Sequence, residues 1–284
     1  MVKPTLLKST SRSTVATAPL LMAVDGDVGG VGKSTFTTIV AMAFGLVDAA
    51  IDVFELDEQG KLARFLGADV TCLHGARLDT DSDGDRDLVP VFAPLHEALV
   101  DMPQSGRSAV LEVGGALTAV WNAFIRETDL QEDIDALGLT MMVFLVLIAS
   151  EESARQVLSQ IRELRETLPS AIIVIVCNER DGCPAVEAKD LPPDLRKKLE
   201  QALKIYPLIR MPLLPLKSRR IYEKLGLPPS TIISWHRGHY AEAVARTGRK
   251  LLPAKRFVKD VAAWSETIRS ELARILPFLG GGDA

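Results

Sequence analysis

The chain has 284 residues, enough for one large α/β domain or two small ones, and 47% of them are hydrophobic against 25% charged. That balance excludes an intrinsically disordered chain, and the longest apolar run, residues 141–149, is far too short to span a bilayer. The formal net charge of −4 conceals an asymmetry: residues 1–192 carry 15 Lys and Arg against 29 Asp and Glu, whereas residues 193–284 carry 18 against 8.

The first nineteen residues are rich in Ser and Thr, lack the apolar run of a signal peptide, and read as a flexible tail. From Leu20 onward short apolar runs alternate with helical patterns, the signature of βαβ units and a mainly parallel sheet. The expected strands are 20–25, 51–56, 108–113, 140–149, 171–177 and a segment around Ile205 to Ile209. Their hydrophobicity is continuous rather than alternating, as strands buried on both faces require. Helical spacing appears in Phe36, Ile39, Val40, Ala43 and Phe44, and again in Ala154, Val157, Leu158, Ile161, Leu164 and Leu168. After Pro228 the pattern is wholly helical. Phe257, Val261, Trp264, Ile268, Leu272 and Ile275 form one long stripe expected to pack on the flank of the sheet. The organisation predicted is a tail over 1–19, a domain over 20–227, and C-terminal helices over 228–284 packed on that same domain.

Two stretches invite a metal reading and do not sustain it. LDTDSDGDRDLVP, residues 78–90, opens like a calcium loop, but Pro90 stands where a bidentate Glu is needed, so it reads as a solvated acidic loop. Cys72, Cys177 and Cys183 are scattered without a CxxC pair, which argues against a disulfide framework or zinc site and for a reducing, cytoplasmic setting.

The chemistry is concentrated in DGDVGGVGKST, residues 25–35, which follows a strand and opens a helix. In that context Gly29, Gly30, Val31 and Gly32 converge backbone amides on phosphate oxygens, Lys33 carries charge to the β and γ phosphates, and Ser34, followed by Thr35, ligates Mg²⁺. ATP and ADP with Mg²⁺ are therefore the expected cofactors. The usual GxxxxGK[ST] pattern would place glycine at Asp27, so an acidic side chain there has to point away from the phosphates.

VGGVGKST resembles the deviant phosphate loop, usually KGGVGKST or KGGVGKTT, of the ParA/MinD ATPases. FELDEQGKL, residues 54–62, is similar to the family's IDLDPQGN segment. That likeness aligns Asp57 with the aspartate that orients the attacking water, and Glu55 with the aspartate before it. AVLEVGG, residues 109–115, resembles the region where hydrophobic residues precede DxPG, and so assigns Glu112 to the water-mediated Mg²⁺ contact. Asn178 falls where relatives often contact adenine. The resemblance implies a P-loop NTPase fold, Rossmann-like and three-layered with helices on both faces of the sheet. It also implies an ATP-dependent homodimer, stimulation by a partner protein, and a role in plasmid or chromosome partition or in conjugative DNA transfer. Two departures matter: Val28 replaces the signature lysine that reaches across the dimer, which predicts slow hydrolysis, and Glu112 is one methylene longer than the usual aspartate, a softer change that still allows it to hold a metal-bound water.

The basic C-terminal third favours nonspecific DNA contact through Arg219, Arg220, Arg246, Arg249, Lys250, Lys255 and Arg256. The competing readings are a membrane-associated scaffold using the tail SELARILPFL, residues 270–279, and a small-molecule P-loop kinase, for which no arginine-bearing lid is visible. A reductase related to nitrogenase iron protein is excluded by the cysteine positions.

Overall fold

The computed structural model describes residues 18–26, 28–73, 88–182, 184, 191–236 and 240–280. The N-terminal residues 1–17, Asp27, residues 78–87 of the acidic loop reading, and Cys183 lie outside the described residues.

Seven strands form one sheet: β1 (Leu20–Asp25), β2 (Ile51–Leu56), β3 (Val70–Cys72), β4 (Ser108–Val113), β5 (Thr140–Leu147), β6 (Ile172–Asn178) and β7 (Leu208–Met211). The order across the sheet is β3-β2-β4-β1-β5-β6-β7 and every pairing is parallel. Parallel neighbours need crossover helices, and these cover both faces, so the interior strands are buried along most of their length. All six residues of β1, at the centre, are buried. This is the α/β, three-layer architecture that the alternation of apolar runs predicts.

Strict alternation of side chains divides the sheet into two cores. Leu21, Ala23, Leu111, Val143 and Leu145 face α3 (Val89–Ser105), α4 (Thr118–Glu127), α5 (Leu130–Ala136), α6 (Glu151–Thr167) and α7 (Pro193–Ile205). Met22, Val24, Val110, Phe144 and Val176 face α1 (Lys33–Leu46) and α2 (Lys61–Leu66). Phe36 of α1 meets Phe144 edge-on at 5.1 Å between ring centroids, which seats that helix over the middle of the sheet.

A third cluster joins α8 (Leu216–Leu225), α9 (Pro229–Ser234), α10 (Ala241–Thr247) and the N-terminal half of α11 (Leu251–Ile275) around Ile232, Trp235, Phe257 and Val261. The long stripe on α11 is therefore shared, and the expectation that all of it lies on the flank of the sheet needs correcting. Phe257 and Val261 face the small helical core, whereas Ile268 and Leu272 continue into the α1 face of the sheet. Leu276 and Leu279 beyond the helix are also buried there, and Phe278 packs edge-on against Phe44 of α1. The apolar residues of 270–279 are thus occupied within the fold, which corrects the reading that offers this segment to lipid.

Candidate functional site

Carboxyl ends of parallel strands gather loops at one edge of the sheet, and here those following β1, β2 and β4 meet. Between β1 and α1 the chain turns through Gly30 and Gly32, with φ of 75° and 105°. Gly32 is required twice over: its φ is hostile to a side chain, and a Cβ there would sit 2.6 Å from Asn178 Nδ2. Among the described residues no side chain caps the start of α1, so its first amides and the positive end of its dipole face the loop.

Lys33, the first helical residue, is only 7% exposed, and its Nζ donates to the carbonyls of Gly26 and Val28. Its ammonium is held inside the turn where phosphate oxygens would otherwise approach. Asp25 at the end of β1 accepts from Gly26 N at 2.6 Å and from Thr118 Oγ1 at 2.9 Å, tying the root of the loop to α4. Val28 packs on the core facing α1 and lines a small crevice with Gln156 and Gln160 of α6. Its valine side chain is thus directed into protein, not toward the site.

On the neighbouring strands Glu55 and Glu112 are register partners and point to the same face. Both are buried, with Asp57 just beyond β2, and one carboxylate oxygen from each of the three lies within 4.8 Å of the others. Their environments differ. Glu55 accepts from Leu62 N at 2.6 Å and from Ala63 N at 2.9 Å, so it caps the start of α2 from a distance. Asp57 accepts from Gln59 N at 3.0 Å in the turn. Glu112 accepts from Ser34 Oγ at 2.6 Å through Oε1, and its buried Oε2 has no hydrogen-bond partner among the described residues. Burial pushes the Glu112 carboxyl up to about 7, the Ser34 hydrogen bond opposing and Glu55 reinforcing that rise. An orphaned, buried carboxylate oxygen beside a serine hydroxyl and two further acids is a donor set suited to a hard divalent cation such as Mg²⁺.

Gly114 locks the loops together. Its amide donates to Leu56 O at 2.7 Å, and a Cβ on it would lie 2.9 Å from that same oxygen. The resulting cavity is about 510 Å³, lined by Gly29 through Thr35, Asp57, Lys61, Glu112 and the turn after β4. The phosphate-loop residues, Asp57 and Glu112 named from the sequence are thus brought to one site.

Asn178 is close by but on the other side of the loop. Its Nδ2 donates to Val31 O at 2.6 Å, its Oδ1 accepts from Arg180 N at 3.1 Å, and it lines a second cavity of about 170 Å³ with Met211, Leu213, Tyr222 and Trp264. Gly30, Gly32 and Thr35 border both cavities, so the loop is the wall between them. Tyr222 is hydrogen-bonded with Thr35, and burial pushes its phenol up to about 12.

The nominated basic residues separate. Arg219 pairs with Glu223 at 2.8 Å, donates to Arg180 O, and lines the second cavity. Arg180 in turn donates to Gly30 O, which gives the loop a cationic brace that no local motif announces. Arg220 is exposed on α8. Arg246 pairs with Glu242, Lys255 lies over the Tyr240 ring at 4.9 Å, Arg256 is 3.9 Å from Asp260, and Arg249 and Lys250 are exposed in the turn joining α10 to α11. Five of the seven therefore occupy two successive helices and the turn between them.

No family model and no curated protein sequence matches the chain. Among the described residues no helix is long and apolar enough to cross a membrane. Among solved structures, the chain is similar to the MinC:MinD cell division protein complex of Aquifex aeolicus, with a TM-score of 0.42 and 13% identity, covering 84% of this chain and 96% of that one. It is also similar to an ATP complex of an McdA variant from Cyanothece, with a TM-score of 0.41 and 11% identity, covering 88% of this chain and 96% of that one.

Proposed function

We propose that the chain is an ATP-binding switch of the ParA/MinD kind with slow hydrolysis. The observation that carries this reading is the 2.6 Å hydrogen bond from Ser34 Oγ to Glu112 Oε1, made in a cavity that also holds Lys33 and Asp57. It joins the two halves of a phosphate and metal site that lie far apart in sequence. Loop amides and the start of α1 bind the phosphates. Lys33 exchanges its carbonyl partners for phosphate oxygens, and Ser34 with Glu112 holds Mg²⁺, the latter through water. When bound, Mg²⁺ would neutralise part of the phosphate charge. Asp57, free of ion pairs among the described residues, orients the attacking water. The base lies in the second cavity, between Asn178 and the apolar walls of Met211 and Trp264. With Val28 directed into protein, no cation is presented to a partner molecule from that position, and turnover is slow.

The ATP-bound form pairs with a second copy of the chain and associates with duplex DNA through the basic turn and helices α10 and α11. That assignment is supported by the excess of 18 Lys and Arg over 8 Asp and Glu in residues 193–284, and by the exposure of Arg249, Lys250 and Arg256. It suits a role in plasmid or chromosome partition or in conjugative transfer, with a partner protein stimulating hydrolysis.

Calorimetry with ATP and Mg²⁺ tests the core of the reading. Lys33→Ala is expected to abolish binding, and unchanged affinity would refute it. Asp57→Ala is expected to bind normally and turn over more slowly.

A further inference from the structure

Phosphate chemistry in the 510 Å³ cavity meets a charge problem. Asp57, Glu58 and Glu112 line it, and Glu55 stands within 4.8 Å of two of them, so the site already gathers carboxylates before a polyanion arrives. Two lysines oppose them, Lys33 and Lys61. Lys33 is engaged by the carbonyls of the loop itself. Lys61 has no ion-pair partner among the described residues.

The backbone aims Lys61 at the cavity. It is the first residue of α2, entered through Gly60 in the left-handed region at φ 57°. The next two amides are clamped by the buried Glu55 carboxylate, so the first turn cannot rotate without losing both bonds. Residues four apart lie on one helix face, and Phe65 lines the same cavity, whereas Leu62 is buried in the core on the other side. Lys61 is thus a half-buried cation on a fixed helix start, facing the phosphate loop from the side where Asp57 and Glu112 lie.

We infer that Lys61 is a catalytic residue of the same polypeptide that carries the loop: its ammonium contacts the terminal phosphate of bound ATP and stabilises the charge that develops there. This rests on the nucleotide reading above. In hydrolysis the oxygen of water bonds to the terminal phosphorus while the bond from that phosphorus to the bridging oxygen breaks, giving ADP and inorganic phosphate with release of one proton. A fixed cation against the terminal group stabilises the spread of charge over its oxygens, as cationic fingers do in other phosphoryl transfers. Because ADP lacks that group, Lys61 discriminates ATP from ADP.

The test compares Lys61→Ala, Lys61→Gln, Lys61→Arg and Lys33→Ala with the unaltered protein, by calorimetry with ATP and with ADP and by single-turnover hydrolysis. Circular dichroism confirms folding. Lys61→Ala and Lys61→Gln are expected to keep ADP affinity within about twofold, weaken ATP about tenfold, and slow hydrolysis on the order of 10²-fold, with Lys61→Arg restoring most of the rate. Equal weakening of ATP and ADP, no loss of rate, or failure of arginine to restore it would overturn the inference. If Lys33→Ala abolishes ATP binding while the Lys61 variants behave as the unaltered protein, only this inference falls. If the unaltered protein binds no ATP, both fall.

Discussion

Replacing Glu112 with Gln isolates the cost of burying a carboxylate at the heart of the site. The side chain is 1% exposed, and desolvation is the chief reason its carboxyl titrates at about 7 rather than at 4.5. A tenfold change in proton affinity is worth about 1.4 kcal/mol, so in the folded state the ionised form is disfavoured by about 3 kcal/mol. The sign follows from where the proton sits. Below pH 4.5 both folded and unfolded chains hold it, and the stability associated with the raised pKa is fully present. Between 4.5 and 7 the unfolded chain releases the proton and the folded chain keeps it, so stability falls as pH rises. Above 7 both are ionised and the loss is complete. Glutamine keeps an acceptor for Ser34 and does not titrate. Relative to the unaltered protein, Glu112→Gln should therefore gain about 1 kcal/mol at pH 5 and about 3 kcal/mol at pH 8, apart from any constant offset from altered hydrogen bonding. Urea denaturation in metal-free buffer at the two pH values reads the difference directly. A stability gap that does not widen by about 2 kcal/mol between pH 5 and pH 8 would refute the argument that burial holds this carboxyl protonated.

Gly32→Ala forces a side chain onto a φ of 105° and against Asn178, and should cost about 1–3 kcal/mol in thermal unfolding while weakening ATP binding in the same preparation. Trp264→Phe removes the 2.7 Å hydrogen bond from Trp264 Nε1 to Pro212 O and should lower stability by about 1 kcal/mol in urea titrations. Joint reversal of Arg249 and Lys250 to Glu should weaken binding to duplexes of every sequence alike. It should also flatten the logarithmic salt dependence by about two contacts, as read by filter binding across a salt series. Unaltered retention would remove the turn between α10 and α11 from the interface.

The central strands were legible because burial on both faces leaves an uninterrupted apolar run, and β1, β2 and β4 fall where the sequence places them. β3 escaped notice: it has three residues at the edge of the sheet, with Thr71 exposed, and so lacks any such run. Around Ile205 the apolar residues straddle Pro207, and the structure divides them between the end of α7 and the start of β7. The phosphate loop was readable since its demands are local, glycine conformations and one lysine in a few consecutive residues. Lys61, Arg180 and Tyr222 were not readable. Tyr222 and Arg180 acquire their places through long-range contacts, with Thr35 and with Gly30, whereas Lys61 is aimed by the hold of Glu55, on the strand just before it, on the first turn of its helix, which no local spacing announces. The stripe on α11 was visible as a helix face, yet nothing in its period distinguishes residues that meet α9 from those that meet α1.

The seat of Phe278 and Leu279 on the trailing half of α1 makes the end of the described chain a splint for the helix whose leading end is the phosphate loop. The Arg269 guanidinium fastens that splint by donating to Leu279 O at 2.8 Å. Trimming the chain before residue 277 would uncover Phe44 and free one end of a rod whose opposite end holds Lys33 and Ser34. Such a protein would lose nucleotide affinity with every phosphate-contacting residue still present. Its behaviour would mimic an active-site lesion, and only restoration by a C-terminal segment supplied separately would reveal the cause as mechanical.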